Sequence, residues 1–207
     1  MNLPFYGIDD VKAAIKMTEA IQAMKDAFSA LSNGTAVVPN RINLPLEDQN
    51  ALNLSMPAYI KGGKYNTIKV VNVHFNNPNK GLPLINGLIL VMDSIKGNPL
   101  ALIDGKCVTS LRTGAASGLA TDILSNKDSK CAFIFGTGAQ ARSQLEAICC
   151  VRDLSSIFII GRTEEQTKIF CDEYGDIVQP GKISNLDDAD IICTATTSEE
   201  PLFNIEN

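Results

Sequence analysis

The first apolar pattern along the chain has helical spacing. After Thr18, apolar residues recur at intervals of three and four, which predicts an amphipathic helix with Thr18 as its N-terminal cap. The pair Asn33-Gly34 predicts the end of this helix. The apolar stripe consists of Ile21, Met24, Phe28 and Leu31.

Strand-like runs follow, separated by glycine, asparagine and proline. The runs are Val37–Asn43, Leu52–Ile60, Ile68–Phe75, Leu84–Asp93 and Leu100–Asp104. The connecting residues Gly62-Gly63, Asn76–Asn79 and Lys96–Pro99 are typical of turns. Because short connections join consecutive strands, we expect a mixed or antiparallel sheet in this half of the chain.

The segment Thr109–Leu124 then predicts a helix rich in alanine and glycine. Small residues on a helix permit close packing against a neighbouring backbone or a ligand. Two interpretations stay open for Arg112: a position at a ligand cleft between the two predicted halves, or a position in solvent on a helix packed tightly against the sheet.

The second half of the chain contains a glycine-rich turn between a strand and a helix. The apolar run Lys130–Phe135 leads into Gly136-Thr137-Gly138-Ala139-Gln140-Ala141, which has the pattern G-x-G-x-x-A. A helix is predicted over 141–151, and Ser156–Ile160 predicts a buried parallel strand. The residues expected on the buried face of this helix are Leu145, Ile148 and Cys149.

This strand–helix–strand unit of about 30 residues is typical of dinucleotide binding, and the alternative is a plain structural turn. Gly136 permits the tight turn, Gly138 lets the backbone approach a pyrophosphate, and Ala141 lets the helix pack closely on the sheet. The helix N-terminus then presents its partial positive charge to the phosphates.

The residues after Ser156–Ile160 indicate which dinucleotide binds. NAD sites usually place an acid there for the ribose hydroxyls, whereas a 2′-phosphate requires a cation. This chain has Arg162 and Thr163, and its nearest acids are Glu164 and Glu165. A guanidinium and a hydroxyl suit a phosphate, so we expect NADP(H) in preference to NAD(H). The alternative for Arg162 is a solvated surface cation.

The remaining pattern continues the alternation of helix and strand. It predicts a helix over Glu164–Tyr174, a strand near Ile177-Val178 and a strand over Asp190–Thr194. The following residues Ala195–Ser198 are small and hydroxylated, and they either line a cofactor groove or form a plain loop. A full dinucleotide fold has about six strands, and this pattern predicts fewer, so we expect an incomplete Rossmann-type domain.

The composition of the chain bears on its partners, its location and its metal content. The chain has 207 residues with 18 basic and 23 acidic side chains, a net charge of −5, and no basic cluster, so we expect no nucleic-acid partner. No apolar run approaches the roughly 20 residues that cross a bilayer, and the start at Met1 lacks the pattern of a signal peptide, so we expect a cytoplasmic protein without membrane association. The six cysteines have no C-x-x-C spacing, so we expect reduced thiols in the core. Because His74 is the one histidine of the sequence, we also expect no metal site.

Several different short motifs follow one another along the sequence. They are Val38–Arg41, Met56–Tyr59, Lys69–Asn72, Gly81–Pro83, Ser110–Ala115, Gly136–Arg142, Gly161–Thr163 and Asp190–Thr197. In this order and spacing they resemble the ornithine cyclodeaminase/mu-crystallin family across essentially the whole chain. The resemblance implies an α/β fold, with an N-terminal mixed-sheet substrate-binding and dimerisation domain over 1–124 and an incomplete Rossmann-type dinucleotide-binding domain over 125–207. It further implies a homodimer that acts on a small amino or imino acid. Members include ornithine cyclodeaminase, alanine dehydrogenase and ketimine or pyrroline-2-carboxylate reductases.

The resemblance also implies the site residues. Arg41, Lys69 and Arg112 would bind the substrate carboxylate, because guanidinium groups bind carboxylates through two parallel hydrogen bonds. Lys69 would also polarise the reacting imine or carbonyl as the catalytic residue; the alternative is a surface lysine at a strand edge. The implied cofactor-binding residues are Arg112, Thr113, Gly136, Gly138, Ala139, Gln140, Arg162, Thr163 and Thr196.

The sequence departs from the family pattern in ways that bear on the reaction. The family's catalytic aspartate follows a further strand, beyond Asn207, and the aspartates within 187–190 come too early to replace it. Arg162 stands where members with tightly held NAD carry an acid, and Leu84 stands where the cyclodeaminase has a hydroxyl. We therefore expect an NADP-linked reductase or dehydrogenase rather than a cyclodeaminase. The alternative is a non-catalytic NADP-binding protein of the mu-crystallin type, or an inactive fragment.

Overall fold

The structure, a computed structural model, describes residues 2–204 of the chain. Met1 and residues 205–207, and with them the chain end at Asn207, lie outside the described residues. By their contacts, the residues group into two compact units. The first holds the chain up to Lys16 together with Lys25–Thr109, and the second holds Met17–Met24 together with the chain from Ser110 onward. The predicted domain limits, 1–124 and 125–207, stay predictions.

The first unit is built on a sheet that has seven strands within residues 2–204. Its elements are β1 (Phe5–Tyr6), α1 (Ile8–Ala14), β2 (Ala36–Val37), β3 (Ile42–Leu46), β4 (Ala51–Ile60), β5 (Tyr65–His74), β6 (Ile85–Asp93) and β7 (Pro99–Asp104). The strand order is β1-β7-β6-β5-β4-β2, and β3 also pairs with β4. β1 is parallel to β7, whereas the pairings of β2 to β7 with one another are antiparallel. The prediction of a mixed sheet is confirmed.

The prediction of one strand over Val37–Asn43 is wrong. Two short strands occupy this segment, and both pair with β4: β2 reaches Tyr59, whereas β3 begins opposite Ser55. Pro39 lies between them. Proline has no N–H to donate and restricts the residue before it, so it interrupts the hydrogen-bonded ladder.

Helix α2 spans Met17–Ser32 and contains the predicted apolar stripe. It begins before Thr18, so the prediction of Thr18 as the cap is wrong. The first two members of the stripe pack against buried residues. Phe28 and Leu31, in contrast, are 45% and 53% exposed, and the buried residue in the C-terminal half of the helix is Ala30, at 8%.

Helix α3 spans Gly105–Leu124 and starts four residues before the predicted Thr109. The carboxylate of Asp104 accepts a hydrogen bond from the N–H of Cys107 at 2.6 Å. This is the geometry of an aspartate N-cap, in which the side chain satisfies a first-turn N–H group. The cap explains why the helix begins directly where β7 ends.

The second unit contains a parallel sheet covered by helices. Its elements after α3 are β8 (Cys131–Phe135), α4 (Ala139–Val151), β9 (Ser156–Ile160), α5 (Glu164–Cys171), β10 (Val178–Pro180) and β11 (Ile191–Thr194). The strand order is β10-β9-β8-β11, and all neighbouring pairs in it are parallel. In order of appearance this is 3-2-1-4, which is the first part of the Rossmann order. Helix α5 ends at Cys171, earlier than the predicted Tyr174.

The largest buried cluster of the second unit joins this sheet to α4 and α5. Its fully buried members include Phe170, Ile148 and Ile159, each 0% exposed. The predicted buried face of α4 is confirmed for Leu145 and Ile148.

The cysteines differ in their environment. All six are free thiols, but only Cys107, Cys171 and Cys193 are buried. Cys149 and Cys150 are exposed at the end of α4, so the prediction that they are core residues is wrong. An apolar run along the sequence does not show which side of a helix faces the sheet. Among the helices within residues 2–204, none is both long and apolar enough to span a membrane.

Candidate functional site

The glycine-rich turn lies at the carboxyl end of β8. β8 pairs with β9 on one side and with β11 on the other. Just beyond the two strand ends, the N–H of Ala195 donates to the carbonyl of Phe135 at 2.7 Å. The chain order therefore reverses at β8. Open α/β sheets bind ligands at such a switch point, in the crevice outside the carboxyl ends of the strands.

Gly136 fits its position for two reasons. Its φ angle is 113°, a left-handed conformation that favours glycine, and a Cβ would collide with the carbonyl oxygen of Ala195. Its N–H donates to the carbonyl of Ile160 at 2.9 Å. The turn therefore links the ends of β8, β9 and β11.

Gly138 is the residue that precedes helix α4. It has an extended conformation with φ −85°, and a Cβ there would meet no atom within 4 Å. Gly138, as the N-cap of α4, has no side chain to offer to the first N–H groups of this helix, which starts at Ala139. Uncapped N–H groups at the positive end of a helix dipole can bind an anion such as a pyrophosphate.

Helix α3 packs closely on α4 through glycines. A Cβ on Gly114 would collide with Ser143, and a Cβ on Gly118 would stand 3.0 Å from the Cβ of Ala147. The hydroxyl of Ser143 donates to the carbonyl of Ser110 at 2.8 Å. The neighbour for which these small residues make room is therefore a second helix.

The end of β9 is shaped by a close approach. A Cβ on Gly161 would stand 2.6 Å from the hydroxyl of Thr167 and 2.8 Å from the methyl group of Thr137. The hydroxyl of Thr163 accepts the N–H of Gln166 at 3.2 Å and so caps α5. These contacts bring the start of α5 next to the glycine-rich turn.

A cleft of about 620 Å³ opens at these strand ends. It brings together four of the predicted cofactor-binding residues, Gly136, Gly138, Arg162 and Thr196. The complete lining is Phe135, Gly136, Thr137, Gly138, Ile160, Gly161, Arg162, Gln166, Ile183, Ala195, Thr196, Thr197, Ser198 and Leu202. Arg162 is exposed and also borders a second cavity, of about 1210 Å³, along α5 and β10.

The other predicted cofactor-binding residues do not line this cleft. Ala139 and Gln140 form the start of α4, and the Oε1 atom of Gln140 is buried without a hydrogen-bond partner among the described residues. Thr163 borders the larger cavity. Arg112 is exposed and Thr113 half-buried on α3. The role of all these residues in cofactor binding stays a prediction.

A profile of the ornithine cyclodeaminase/mu-crystallin family matches residues 5–206. The chain belongs to this family. The resemblance identified from its motifs is therefore confirmed. Structural relatives of this family confirm the α/β class with a Rossmann-type sheet in the second unit.

The curated relatives of this family member include two kinds of enzyme. A Delta(1)-pyrroline-2-carboxylate reductase of Bacillus cereus is 34% identical over 196 residues, which are 92% of this chain and 60% of that protein. An alanine dehydrogenase of Archaeoglobus fulgidus is 35% identical over 203 residues, which are 96% of this chain and 61% of that protein. The chain spans about three fifths of the length of these relatives.

Two solved structures resemble this family member closely. Thermococcus litoralis Delta(1)-pyrroline-2-carboxylate reductase, in complex with NADH and L-proline, has a TM-score of 0.88 at 36% identity and covers 97% of this chain and 64% of its own. An archaeal alanine dehydrogenase dimer with bound NAD has a TM-score of 0.87 at 32% identity and covers 98% of this chain and 63% of its own.

The predicted substrate residues of the first unit lie on or next to neighbouring strands of its sheet. Lys69 on β5 pairs directly with Met56 on β4, and directly opposed residues in an antiparallel sheet share a face. Arg41 directly precedes β3, whose first residue Ile42 pairs with Ser55 on β4.

Two further observations concern chemistry other than hydride transfer. Within residues 2–204, no group of three or more histidine, cysteine, aspartate or glutamate side chains is arranged to hold a metal ion. Burial raises the pKa of the Cys193 thiol on β11 to about 11. This cysteine is therefore a neutral core residue at neutral pH rather than a nucleophile.

The sequence analysis missed two polar residues of the cleft. Thr137 is the middle residue of the G-x-G pattern, and its place between the two glycines was the available signal. Gln166 lies in the first turn of α5, three residues after Thr163. Its position at the cleft depends on how α5 packs, which no local pattern specifies. The loop Ala195–Ser198 does line the cleft, as one of its two interpretations had it.

Proposed function

We propose that this chain binds the coenzyme and substrate of an NAD(P)-dependent oxidoreductase that acts on a small amino or imino acid. When bound, the nicotinamide supplies or accepts the hydride at the α-carbon. The observation that carries the proposal is the start of α4 directly after the glycine-rich turn Gly136–Gly138, where the N-cap Gly138 has no capping side chain, at the switch point of a parallel sheet. Two similar proteins, solved with NADH and with NAD, support it.

We propose that the preferred coenzyme is NADP(H). Arg162 follows β9 at the position where the adenosine ribose is held in Rossmann folds, and its exposed guanidinium borders the cleft. The hydroxyl of Thr163 accepts a hydrogen bond as the cap of α5, and its O–H can still donate to a phosphate. Both groups would bind a 2′-phosphate.

Replacing Arg162 with aspartate tests the coenzyme preference. We expect Arg162→Asp to weaken NADPH binding by about 10- to 100-fold and NADH binding far less, because only NADPH loses a charge-assisted hydrogen bond. Titration by nucleotide fluorescence measures both dissociation constants. An equal loss for the two coenzymes would remove the argument for the 2′-phosphate.

We propose that Arg41, Lys69 and Arg112 bind the carboxylate of the substrate, and that Lys69 polarises the reacting carbon–nitrogen or carbon–oxygen bond. The position of Arg41 directly before β3, and of Lys69 opposite Met56 on the strand β4 that pairs with β3, supports this role. In a version with the full length of the relatives, Arg41→Met should mainly raise KM, because it removes binding to the substrate. Lys69→Met should mainly lower kcat, because it removes charge stabilisation that grows in the transition state.

The test of the whole proposal has two stages. The 207-residue chain should bind NADPH in a fluorescence titration. A version extended to the length of the relatives should oxidise NADPH with cyclic imino acids or with pyruvate and ammonia. Binding without turnover in the extended version would favour the non-catalytic alternative, and absence of binding would contradict both. Ornithine conversion without net change in NADPH would indicate cyclodeamination instead.

We propose that the protein forms a homodimer through its first unit. Ile42, Ser55, Val70 and Leu88 form one row across β3 to β6. On this face Ile42, Leu44 and Leu88 are 65%, 55% and 37% exposed. Adjacent apolar side chains on a sheet face mark an interaction surface. A neighbour described as an alanine dehydrogenase dimer supports the proposal.

The dimer is tested by sedimentation at several protein concentrations. Ile42→Glu should shift the protein towards monomer. Ile95→Glu is the matched control, because Ile95 is 84% exposed in the turn between β6 and β7. A monomeric wild-type protein would contradict the proposal.

A further inference from the structure

Arg142, in the first turn of α4, has an extensive set of contacts but does not line the cleft. Its Nη1 donates to the carbonyl of Thr137 at 2.6 Å. Its Nε donates to Oε2 of Glu173 at 2.8 Å, and its Nη2 donates to Oε1 of the same carboxylate. The guanidinium also lies over the ring of Phe170, 4.7 Å from the centroid.

These contacts hold the guanidinium in one orientation. A carboxylate bound by two parallel N–H groups fixes the plane of the guanidinium, and an aromatic ring beneath it restricts its tilt. The pairing with Glu173 also raises the pKa of Arg142 and lowers that of Glu173, so both stay charged at neutral pH. Arg142 is thus a rigid donor rather than a mobile surface side chain.

The guanidinium of Arg142 binds the carbonyl of the peptide that joins Thr137 to Gly138. The described chain contains no cis peptide bond, and in a planar trans peptide the carbonyl and the following N–H point in opposite directions. Holding the Thr137 oxygen therefore also fixes the direction of the Gly138 N–H, away from Arg142. The backbone N–H of Arg142 donates to the Gly138 carbonyl at 3.3 Å, which fixes the next peptide as well.

We propose that Arg142 is a positioning residue for the pyrophosphate of the dinucleotide, which it serves by fixing the peptides of the turn Gly136–Gly138. This inference rests on the proposed coenzyme binding. Phe170, near the end of α5, and Glu173, two residues after this helix, hold Arg142 in place. Fixed N–H donors bind an anion without the entropic loss of ordering a mobile loop, so the arrangement raises affinity although Arg142 itself need not touch the ligand.

A purely structural tie between α4 and α5 would have a different consequence. Loss of such a tie would lower stability and weaken every ligand of the cleft alike. Loss of a positioning residue weakens ligands that contain a pyrophosphate and spares a ligand without one. The comparison of NADPH with 2′-AMP separates the two, because 2′-AMP keeps the 2′-phosphate and adenine but has no pyrophosphate.

The variants are Arg142→Met, which keeps the side-chain length without donors, and Arg142→Lys, which keeps the charge but not the planar fork. Lys127→Met is the matched control, since Lys127 pairs with Asp122, is 74% exposed and lines neither cavity. Calorimetry of the 207-residue chain measures binding of NADPH and 2′-AMP, and thermal unfolding confirms that each variant is folded.

Arg142→Met should weaken NADPH by about 10- to 100-fold and change 2′-AMP by less than about threefold, with Arg142→Lys between it and the wild type. Lys127→Met should bind both ligands like the wild type. Equal weakening of both ligands in Arg142→Met, or no weakening of NADPH, would overturn the inference while the proposed coenzyme binding stands. A wild-type chain that binds no NADPH would overturn both.

Discussion

Replacement of Arg152 with methionine should destabilise the second unit strongly. Arg152 follows α4, and its side chain is only 2% exposed. Its guanidinium donates to main-chain carbonyls at the C-terminus of α3, among them the buried carbonyl of Thr121 at 2.8 Å and that of Ser125 at 3.1 Å. It also reaches the carbonyl of Asn126 at 2.9 Å and the carboxylate of Asp122 at 3.2 Å. A helix C-terminus leaves such carbonyls without partners, so one buried cation satisfies several of them.

The size of the effect follows from these contacts. Asp122 is 44% exposed and retains its hydrogen bond to Lys127, which contributes more than Arg152 to lowering its pKa. The lost ion pair is therefore a minor part of the effect. The main part is the loss of charge-assisted bonds to buried carbonyls, and we expect Arg152→Met to lower the free energy of unfolding by about 3–5 kcal/mol.

The assay is thermal unfolding monitored by circular dichroism. A loss of 3–5 kcal/mol corresponds to a decrease in Tm of roughly 6–20 °C for a protein of this size. Lys127→Met is the matched control, since Lys127 binds the same aspartate at 2.6 Å but is 74% exposed, and it should lose less than about 1 kcal/mol. Equal Tm values for Arg152→Met and Lys127→Met would refute the reasoning about buried carbonyls.

The remaining predictions concern the turn, the sheet and the surface thiols. Gly136→Ala should lower the free energy of unfolding by about 2–6 kcal/mol, because a Cβ adds backbone strain and a collision with the carbonyl of Ala195; urea unfolding should show no such loss for Gly138→Ala. Asp190 accepts two N–H groups at the start of β8, which lower its pKa. Its stabilisation should therefore be complete above pH of about 4 and be lost as the pH falls through the lowered folded pKa, so wild type and Asp190→Asn should converge in acid unfolding curves. Cys149 and Cys150 are exposed residues and should react with Ellman's reagent in the folded protein. The reaction should become faster as the pH rises because the thiolate is the nucleophile, and partial desolvation raises the pKa of both thiols, so the increase should extend above the range of a free thiol. Protection of both thiols would contradict their exposure.

Local patterns predicted most strands because alternation and turn residues act over a few positions. The prediction Ser156–Ile160 coincides with β9, and Leu84–Asp93 differs from β6 by one residue. β1 was not predicted, because two residues carry no periodicity and the strand exists only through its pairing with Leu102 and Ile103 on β7. The exposure of Cys149 and Cys150 was also unpredictable, because it depends on which side of α4 meets the sheet.

Some residues of the candidate site could also be predicted from local sequence, whereas others could not. The glycine-rich turn and Arg162 were predicted from the sequence, because a strand, a tight turn and a helix N-terminus are adjacent along the chain. The contribution of Thr196 to the same cleft was one of two interpretations left open for Ala195–Ser198, and the family resemblance also implied it. Gln166 was not predicted, since its place in the cleft depends on how α5 packs, and Thr137 was not predicted although its place between two glycines was an available signal.

The sequence by itself determined the strand–turn–helix unit and the family, since both reside in the order of neighbouring residues. Only the tertiary structure decided that β11 lies beside β8, that Arg142 donates to the carbonyl of Thr137 in the glycine-rich turn, and that Arg152 is buried at the end of α3. The physical reason is that strand order and the partners of a long cationic side chain depend on contacts between residues distant along the chain. Such contacts form only when the whole unit packs, and they leave no periodic mark in the sequence.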